Sequence, residues 1–315
     1  MMNNTNNKPH IVAVVGPTAV GKTALAIELA KHLNGEIISC DSMQVYRGMD
    51  IGTAKATVEE KALVPHHLID IKNPDEDFSC ADFAVLANEA VKDILSRGKT
   101  PIFCGGTGLY LDSVIEIPSW TDTKRDENYR AEMEKYALEN GNSALHDLLR
   151  KVDSESADAI HENNVKRVIR ALEIFHTTGK KKSELDALSK TVEKPFCTTV
   201  FYLTFKDREA LYSRIDSRVD MMIENGLVAE CQALFDGGYL ENGSTASDAI
   251  GYKELLPYIK GEDTLENCIN ELKLSTRHYA KRQGTWFRKK KDYHTVFVDE
   301  VNPLAFAIEV LKNEF

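Results

Sequence analysis

Residues 16–23 read Gly-Pro-Thr-Ala-Val-Gly-Lys-Thr and complete the phosphate-loop pattern Gly-x-x-x-x-Gly-Lys-Ser/Thr. An apolar run, residues 11–15, precedes the pattern, and a helical segment, residues 24–33, follows it. In this setting backbone N–H groups and the start of a helix face a phosphate. Lys22 adds a positive charge, and Thr23 offers a hydroxyl to Mg²⁺. The pattern predicts a strand–loop–helix site for a di- or triphosphate.

Strand and helix patterns alternate over the first third of the chain. Apolar runs predict strands at residues 36–40, 67–71 and 101–104, and residues 83–95 repeat at helical spacing before Arg97-Gly98. This alternation is typical of a P-loop-type, doubly wound parallel sheet, an α/β fold that binds ligands at the carboxyl ends of its strands.

The strand patterns stop in the middle of the chain. Four or five polar helices, broken at Gly141 and Gly179, are predicted there, and strand patterns return at residues 197–205 and 295–298. We therefore expect an α/β core in two parts, residues 1–119 and 197–315, around an all-helical insertion domain, residues 120–196.

Composition narrows the functional class. The 315 residues carry a net charge of −10, which argues against indiscriminate nucleic-acid binding but allows a local basic face. Six cysteines lack any Cys-x-x-Cys pair and favour free thiols in a reducing cytoplasm. Without an apolar leader or a membrane-length run, we expect a cytoplasmic protein with no membrane partner, and nothing requires more than a monomer.

Asp41 follows the second predicted strand, in Cys-Asp-Ser-Met-Gln-Val-Tyr. The carboxyl edge of the sheet would place its carboxylate near the phosphate loop, where it could act as a general base. An Asx-turn or a helix cap is the structural alternative.

The fourth strand ends in Cys-Gly-Gly-Thr-Gly-Leu-Tyr, residues 104–110, and not in the acidic metal ligand of many nucleotidases. Three glycines would let the backbone approach a ligand, and Thr107 could hydrogen-bond it. A plain strand-to-helix turn is the alternative. The missing acid weakens an ATPase interpretation.

Arg214 and Arg218 lie four residues apart, away from the apolar stripe of a helix predicted to begin near Asp207. No acid stands three or four residues from either one, so the pair suits an anion such as diphosphate. Pairing with an acid from a distant segment, or plain solvation, stays open.

Two basic clusters offset the acidic total. Lys166, Arg167 and Arg170 fall on one helical face, and residues 277–291 hold seven Lys or Arg interleaved with Tyr, Trp and Phe. Basic side chains neutralise RNA phosphates and aromatic rings stack on unpaired bases, although charge runs are often only solvated faces. His66-His67 is interpreted as structural and not as a metal pair.

Seven motifs in order resemble those of bacterial tRNA dimethylallyltransferases, over about residues 11 to 291. They are the phosphate loop, Asp-Ser-Met-Gln-Val-Tyr (41–46), Gly-Thr-Ala-Lys (52–55), Gly-Gly-Thr-Gly-Leu-Tyr (105–110), Lys-Arg-Val-Ile-Arg-Ala-Leu-Glu (166–173), Ala-Ile-Gly-Tyr-Lys-Glu (249–254) and Tyr-Ala-Lys-Arg-Gln-x-Thr-Trp-Phe-Arg (279–288).

The resemblance implies transfer of a dimethylallyl group from dimethylallyl diphosphate to N6 of an adenosine. This adenosine lies immediately 3′ of the anticodon (position 37), in tRNAs that read codons beginning with U. The partner would be the anticodon stem-loop, with the base flipped into a channel.

Residue roles are also implied by the resemblance. Asp41 would be the general base and Thr107 would orient the adenine, while Mg²⁺ would be the cofactor, with Thr23 as ligand. The diphosphate would be held by Gly16, Thr18, Ala19, Val20, Gly21, Lys22, Thr23 and Arg218. The tRNA would be contacted by Asp41, Ser42, Met43, Gln44, Thr107, Arg130, Lys166, Arg167, Val168, Ile169 and Arg170.

Three alternatives remain at the level of the sequence. A small-molecule kinase explains the phosphate loop but assigns nothing to the Thr107 turn or the aromatic, basic residues 277–291. A free-adenylate isopentenyltransferase needs no helical insertion. A non-catalytic RNA-binding switch would bind nucleotide without turnover.

Overall fold

The structure, a computed structural model, describes residues 8–116, 125–189, 191–240 and 245–314. Six parallel strands in these ranges form one sheet of order β3-β2-β4-β1-β5-β6. They are β1 (His10–Val15), β2 (Gly35–Ser39), β3 (His66–His67), β4 (Thr100–Gly105), β5 (Cys197–Thr204) and β6 (His294–Phe297). The predicted P-loop-type α/β fold is confirmed.

Fourteen helices accompany the sheet within the described ranges. They are α1 (Lys22–His32), α2 (Val58–Leu63), α3 (Cys80–Ser96), α4 (Gly108–Ile115), α5 (Glu127–Asn140), α6 (Asn142–Val152), α7 (Ser154–Ala159), α8 (Val165–Thr178), α9 (Lys182–Ser189), α10 (Arg208–Glu224), α11 (Leu227–Asp236), α12 (Leu256–Ile259), α13 (Leu265–Phe287) and α14 (Pro303–Glu314). The start of α3 is determined by local sequence, because Ser79 and Asp82 form a capping box there.

The centre of the sheet explains the apolar run before the phosphate loop. Residues 11–15 of β1 are fully buried because β4 and β5 flank the strand in the sheet and other parts of the chain cover both faces. Val15 pairs with Gly105 of β4, and Ser39 of β2 pairs with Cys104. The phosphate loop, the Asp41 segment and the glycine-rich turn therefore leave the sheet side by side.

The third predicted strand is wrong over most of its length. Strand pairing covers His66 and His67, whereas the prediction extends to residue 71. Leu68 and Asp70 have φ values of +60° and +57°, a conformation that extended strands do not contain. The chain turns at these residues, so the apolar residues of the predicted strand belong to a loop.

The described residues divide into two compact units. One comprises residues 1–114 and 196–315 and holds the sheet, which we call the α/β unit; the other, residues 115–195, is the helical unit. In the helical unit α5 to α9 enclose a core that includes Leu145, Leu149, Val168 and Leu172. Gly141 and Gly179 end α5 and α8 as expected. The predicted start of the insertion at residue 120 lies outside the described residues.

Two expectations from composition can be compared with the fold. Among the described helices, none combines the length and the apolar character needed to cross a bilayer. All six cysteines are free, and four of them are buried, as their positions in apolar runs indicate.

Candidate active site

A cavity of about 610 Å³ lies in the α/β unit, where β1, β2 and β4 end. Most of the predicted site residues of this unit line it: Thr18, Ala19, Gly21, Lys22, Thr23, Asp41, Ser42, Met43, Gln44 and Arg218. Gly16, Val20 and Thr107 are outside the lining set. The fold therefore brings the predicted phosphate, base and arginine segments to one place.

The phosphate loop is held in a strained, ordered conformation. Ala19 has a φ of +67°, which L side chains rarely adopt. The Arg214 Nε donates a hydrogen bond of 3.0 Å to the Ala19 carbonyl, and the Lys22 Nζ donates one of 2.6 Å to the Pro17 carbonyl. Strain of this kind is typical of ligand-binding loops whose shape is set before the ligand arrives.

Lys22 lies in an environment that disfavours its own charge. Burial lowers the pKa of Lys22 to about 8, and neighbouring Arg218 lowers it further, although Cys104 and Asp41 oppose the shift. A bound anion would favour the ammonium form and reverse this effect. Two cationic groups in one cavity therefore suit a phosphate ester.

Arg218 and Arg214 have different surroundings. Arg218 lines the cavity, and its Nε is buried with no hydrogen-bond partner within the described part of the chain. Arg214 is exposed, donates to Ala19 and lies over the Phe205 ring at 5.7 Å. A buried polar group without a partner calls for a ligand, so Arg218 is the arginine suited to a diphosphate.

Asp41 combines the two alternatives that the sequence leaves open. Its Oδ1 accepts a hydrogen bond of 2.9 Å from the Met43 N–H, which is an Asx-turn. The residue also lines the cavity, where its charge acts on Lys22 and Arg218. Because a carboxylate has two oxygens, Asp41 can hold the turn with one and accept a proton with the other.

The glycine-rich turn corrects one prediction. A Cβ at Gly106 would overlap the Gln283 amide, and a Cβ at Gly108 would overlap the Trp286 ring. Gly106 and Gly108 therefore allow close approach of α13 and not of a ligand, whereas Gly105 lines the cavity as predicted. Thr107 Oγ1 accepts a hydrogen bond of 3.1 Å from the Ser42 N–H, which places it next to the Asp41 segment.

Gln283 is a site residue that sequence reasoning missed. Its buried amide accepts a hydrogen bond of 3.0 Å from the Thr18 N–H and donates one of 3.0 Å to the Gly106 carbonyl. The phosphate loop and the glycine-rich turn are thus tied together by one side chain. The one sequence feature that could have indicated Gln283 is its uncharged amide within a strongly basic stretch.

Glu230 is a second missed residue. Its carboxylate accepts hydrogen bonds of 2.9 to 3.0 Å from the backbone N–H groups of Asp50, Ile51 and Gly52, and one of 2.7 Å from the Tyr252 hydroxyl. The loop it holds continues into residues 52–55, which line the cavity. Glu230 thereby positions a cavity wall without lining it.

A magnesium ion fits the donor set of the cavity. The Thr23 hydroxyl and the Asp41 carboxylate both line it. Groups of three or more His, Cys, Asp or Glu able to hold a metal are absent from the described ranges. Mg²⁺ commonly keeps several waters and binds through substrate phosphates, so the Thr23 hydroxyl would be a compatible protein ligand for it.

The predicted tRNA contacts of the helical unit separate into three groups. Val168 and Ile169 are buried in its core, so their side chains pack inside and cannot contact RNA in this structure. Lys166 and Arg167 are exposed. Arg130 and Arg170 are half-buried.

Glu173 holds both of these arginines. It is fully buried and accepts hydrogen bonds from Arg130 Nε at 2.7 Å, Arg130 Nη2 at 2.8 Å, Arg170 Nη1 at 2.6 Å and the Asp126 N–H at 2.8 Å. Although burial acts to raise it, the pKa of Glu173 is lowered by these bonds. Glu173 therefore fixes the orientation of two basic side chains.

The basic stretch 277–291 is only partly available to a partner. Arg277 pairs with Asp216, and Lys290 pairs with Asp112 at 3.0 Å. Trp286 is half-buried against Gly108. The Lys and Arg side chains of this stretch that remain exposed are Lys281, Arg282, Arg288, Lys289 and Lys291.

His66 and His67 have structural partners. The His66 Nδ1 lies 2.8 Å from the Val64 carbonyl, and the His67 Nε2 lies 2.7 Å from Glu36. The structural interpretation of this pair agrees with both contacts.

Comparisons with known proteins give a consistent result. Residues 44–290 match the model of the IPP transferase family. The tRNA dimethylallyltransferase of Bacillus pumilus (strain SAFR-032) is 53% identical over 300 residues, which are 95% of this chain and 92% of that protein. The tRNA dimethylallyltransferase of Halalkalibacterium halodurans is 52% identical over 283 residues, 90% of this chain and 89% of that protein.

Solved structures agree. The full-length tRNA isopentenylpyrophosphate transferase of Bacillus halodurans superposes with a TM-score of 0.70 at 47% identity, covering 97% of this chain and 94% of that one. A eukaryotic dimethylallyltransferase solved while acting on tRNA superposes with a TM-score of 0.78 at 32% identity, covering 91% of this chain and 73% of that one.

Proposed function

The chain belongs to the IPP transferase family and is a tRNA dimethylallyltransferase, and we propose that its cavity joins dimethylallyl diphosphate to an adenosine of tRNA. The acceptor is N6 of the adenosine immediately 3′ of the anticodon, in tRNAs that read codons beginning with U. The observation that carries the donor site is the buried Nε of Arg218, which has no hydrogen-bond partner among the described residues and lies in the same cavity as Lys22 and Asp41.

The reaction forms one bond and breaks one. The N6 amine attacks C1 of the dimethylallyl group, the C1–O bond breaks, and the diphosphate leaves with the bonding electron pair. The N6 proton passes to the Asp41 carboxylate, which lines the cavity. An adenine amine is a weak nucleophile because its lone pair is delocalised, so alignment with the allylic carbon supplies much of the rate.

The chain's own cations hold the donor. Backbone N–H groups of residues 19–23 face the diphosphate with the start of α1, and Lys22 and Arg218 neutralise its charge. The Thr18 N–H is already bonded to Gln283, so the neighbouring amides of the loop perform this role. The Thr23 hydroxyl, which lines the cavity, would hold Mg²⁺, and the ion would supply further charge neutralisation for the leaving group.

The acceptor site uses the opposite wall. Thr107 orients the adenine next to Asp41, and residues 41–44 contact the nucleotide flipped from the anticodon loop. Exposed Lys166 and Arg167, together with the arginines fixed by Glu173, contact the phosphate backbone of the anticodon stem-loop. The protein works on tRNA as a monomer in the cytoplasm.

Diphosphate release tests this proposal against its rivals. The purified protein is incubated with Mg²⁺ and three pairs of substrates: dimethylallyl diphosphate with tRNA, dimethylallyl diphosphate with AMP, and ATP with tRNA. We expect release of diphosphate only with the first pair. Equal release with AMP would favour a free-adenylate transferase, and consumption of ATP would contradict the proposed donor.

A further inference from the structure

One aromatic pair of the helical unit lies at its surface, where α5 begins and α8 ends. The rings of Tyr129 and His176 are stacked, with centroids 4.1 Å apart and planes 9° from parallel. Tyr129 is half-buried against the core of the unit, whereas 51% of the His176 side chain is exposed. Because Tyr129 covers one face of the histidine ring, the exposed area lies mainly on the opposite face and on the ring edges.

The position of this pair is fixed by the start of α5. Asp126 caps α5 and accepts a hydrogen bond of 3.0 Å from the Tyr129 N–H. The Asp126 N–H in turn donates one of 2.8 Å to buried Glu173 of α8. The two rings are therefore held in place before any partner arrives, so a planar ligand stacked on His176 would cost little ordering of side chains.

The pair adjoins the two arginines that Glu173 orients. Arg130 follows Tyr129 in the chain, and Arg170, Glu173 and His176 are spaced three residues apart on one face of α8. Glu173 accepts hydrogen bonds from both guanidinium groups and so fixes them beside the stacked rings. A flat aromatic surface next to fixed cations matches a nucleotide, whose base stacks and whose phosphate is anionic.

An ion pair is the structural alternative for His176. Its Nε2 lies 3.8 Å from Asp126 Oδ2, a distance that suits a protonated histidine but is longer than a hydrogen bond. Such a pair uses only the ring edge and does not require a parallel stack on Tyr129. The two roles can therefore be separated by a ring that stacks but carries no nitrogen.

We propose that His176, backed by Tyr129, is a stacking platform for one unpaired base of the anticodon loop. The inference rests on the proposed function, because it takes the anticodon stem-loop as the partner. It adds a contact to a base, whereas the contacts proposed above for the helical unit are to phosphates. Stacking of this kind accepts any base, since every base has a π face.

Replacing the histidine ring tests the platform. H176A removes the ring, and H176F keeps a ring that stacks but cannot pair with Asp126. H161A is the matched control, because His161 is an exposed histidine of the same unit outside this cluster. Fluorescence anisotropy measures binding over a range of salt concentrations to two RNA probes, an anticodon stem-loop and a blunt duplex with the sequence of its stem.

We expect H176A to bind the stem-loop about 10-fold more weakly than the native protein and the duplex within about 2-fold, because only the loop offers unpaired bases. The slope of log affinity against log salt should stay at the native value, since stacking releases no counterions. H176F and H161A should bind both RNAs within about 3-fold of the native protein, because neither loses the stacking surface.

Several results would overturn the platform. They are native affinity of H176A for the stem-loop, equal losses for the stem-loop and the duplex, and a reduced salt slope in H176A. Binding of H176F as weak as that of H176A would also overturn it and would reduce His176 to a partner of Asp126.

These binding measurements use no dimethylallyl diphosphate, which separates the inference from the proposed function. Absence of dimethylallyl transfer by the native protein would contradict the function and leave the comparison between H176A and H176F unchanged. Conversely, native stem-loop affinity in H176A would refute the platform and leave the transfer reaction standing.

Discussion

Asp41 carries two roles in one side chain, a backbone turn and a proton acceptor, and substitution can separate them. Asp41→Asn keeps an oxygen for the Met43 N–H, to which the carboxylate now bonds at 2.9 Å, and removes the base. We expect kcat to fall by about 10²- to 10⁴-fold, as for loss of a general base, with tRNA affinity nearly unchanged. Single-turnover kinetics and filter binding measure the two quantities.

The matched variant is Asp41→Ala, which removes both the base and the turn. If the turn mattered more than the base, Asp41→Asn would retain most of the activity and only Asp41→Ala would lose it. That result would make Asp41 a structural residue.

Arg218 and Arg214 provide a second comparison at this scale. Arg218→Ala should raise KM for dimethylallyl diphosphate by roughly 10- to 100-fold, because charge-assisted hydrogen bonds to the anion are lost. Arg214→Ala should have a smaller effect, since Arg214 contacts the donor loop only through the Ala19 carbonyl. Steady-state kinetics at saturating tRNA measure both; a larger effect for Arg214→Ala would reassign the diphosphate contact.

Lys22 predicts a pH dependence of donor binding. Burial lowers the pKa of Lys22 to about 8, and the diphosphate binds the protonated form. Affinity for dimethylallyl diphosphate should therefore be highest below pH 8 and fall as the pH rises through this value, since binding must then take up a proton. Calorimetry between pH 7 and pH 9.5 measures the trend. In Lys22→Met the affinity should be lower and nearly flat across this range, and a slope equal to that of the native protein would assign the titration to another group.

Single residues were predictable from sequence where a motif fixes the chemistry locally. Residues 18–23 and Asp41 were found because a loop or a strand end positions them. Gln283 and Glu230 were not, because their partners lie 265 and 178 to 180 residues away along the chain. Only the folded sheet brings such segments together.

Among secondary-structure elements, the strands of the sheet centre and the edge strand β6 were predicted closely, and the edge strand β3 was not. β1 and β4 are buried on both faces and read as continuous apolar runs. β3 has two residues, and the apolar residues after it belong to a turn with positive φ at Leu68 and Asp70. Hydrophobic patterns report burial, and a half-buried loop such as residues 68–71 gives the same pattern as a strand.

Helix α8 predicts a measurable salt dependence. Lys166 and Arg167 are its exposed basic residues, and each phosphate contact releases counterions. The Lys166→Ala/Arg167→Ala variant should bind tRNA more weakly and reduce the slope of log affinity against log salt by about 1.5. Lys135→Ala is a control in the same unit, with a side chain that is 75% exposed outside the predicted contact set. A slope equal to that of the native protein would remove α8 from the RNA interface.

For the whole molecule, the net charge of −10 does not show which of its cations are paired and which are exposed. Arg277 and Lys290 are used in internal ion pairs, whereas Lys281, Arg282, Arg288 and Lys289 stay exposed on or just after α13. The basic stretch could be located from the sequence. Which of its cations are paired could not, because the acids that pair with them lie on α4 and α10. The α/β class followed from the alternation of strand and helix patterns, which depends on local sequence alone.

Mass analysis of the product nucleosides shows whether the protein prenylates one adenosine of tRNA. Unmodified tRNA that reads a codon beginning with U is incubated with the protein, Mg²⁺ and dimethylallyl diphosphate, and then digested. We expect one adenosine per tRNA to gain a C5H8 unit, and no gain in a tRNA with guanosine immediately 3′ of the anticodon. No gain in either tRNA, or an equal gain in both, would contradict the account.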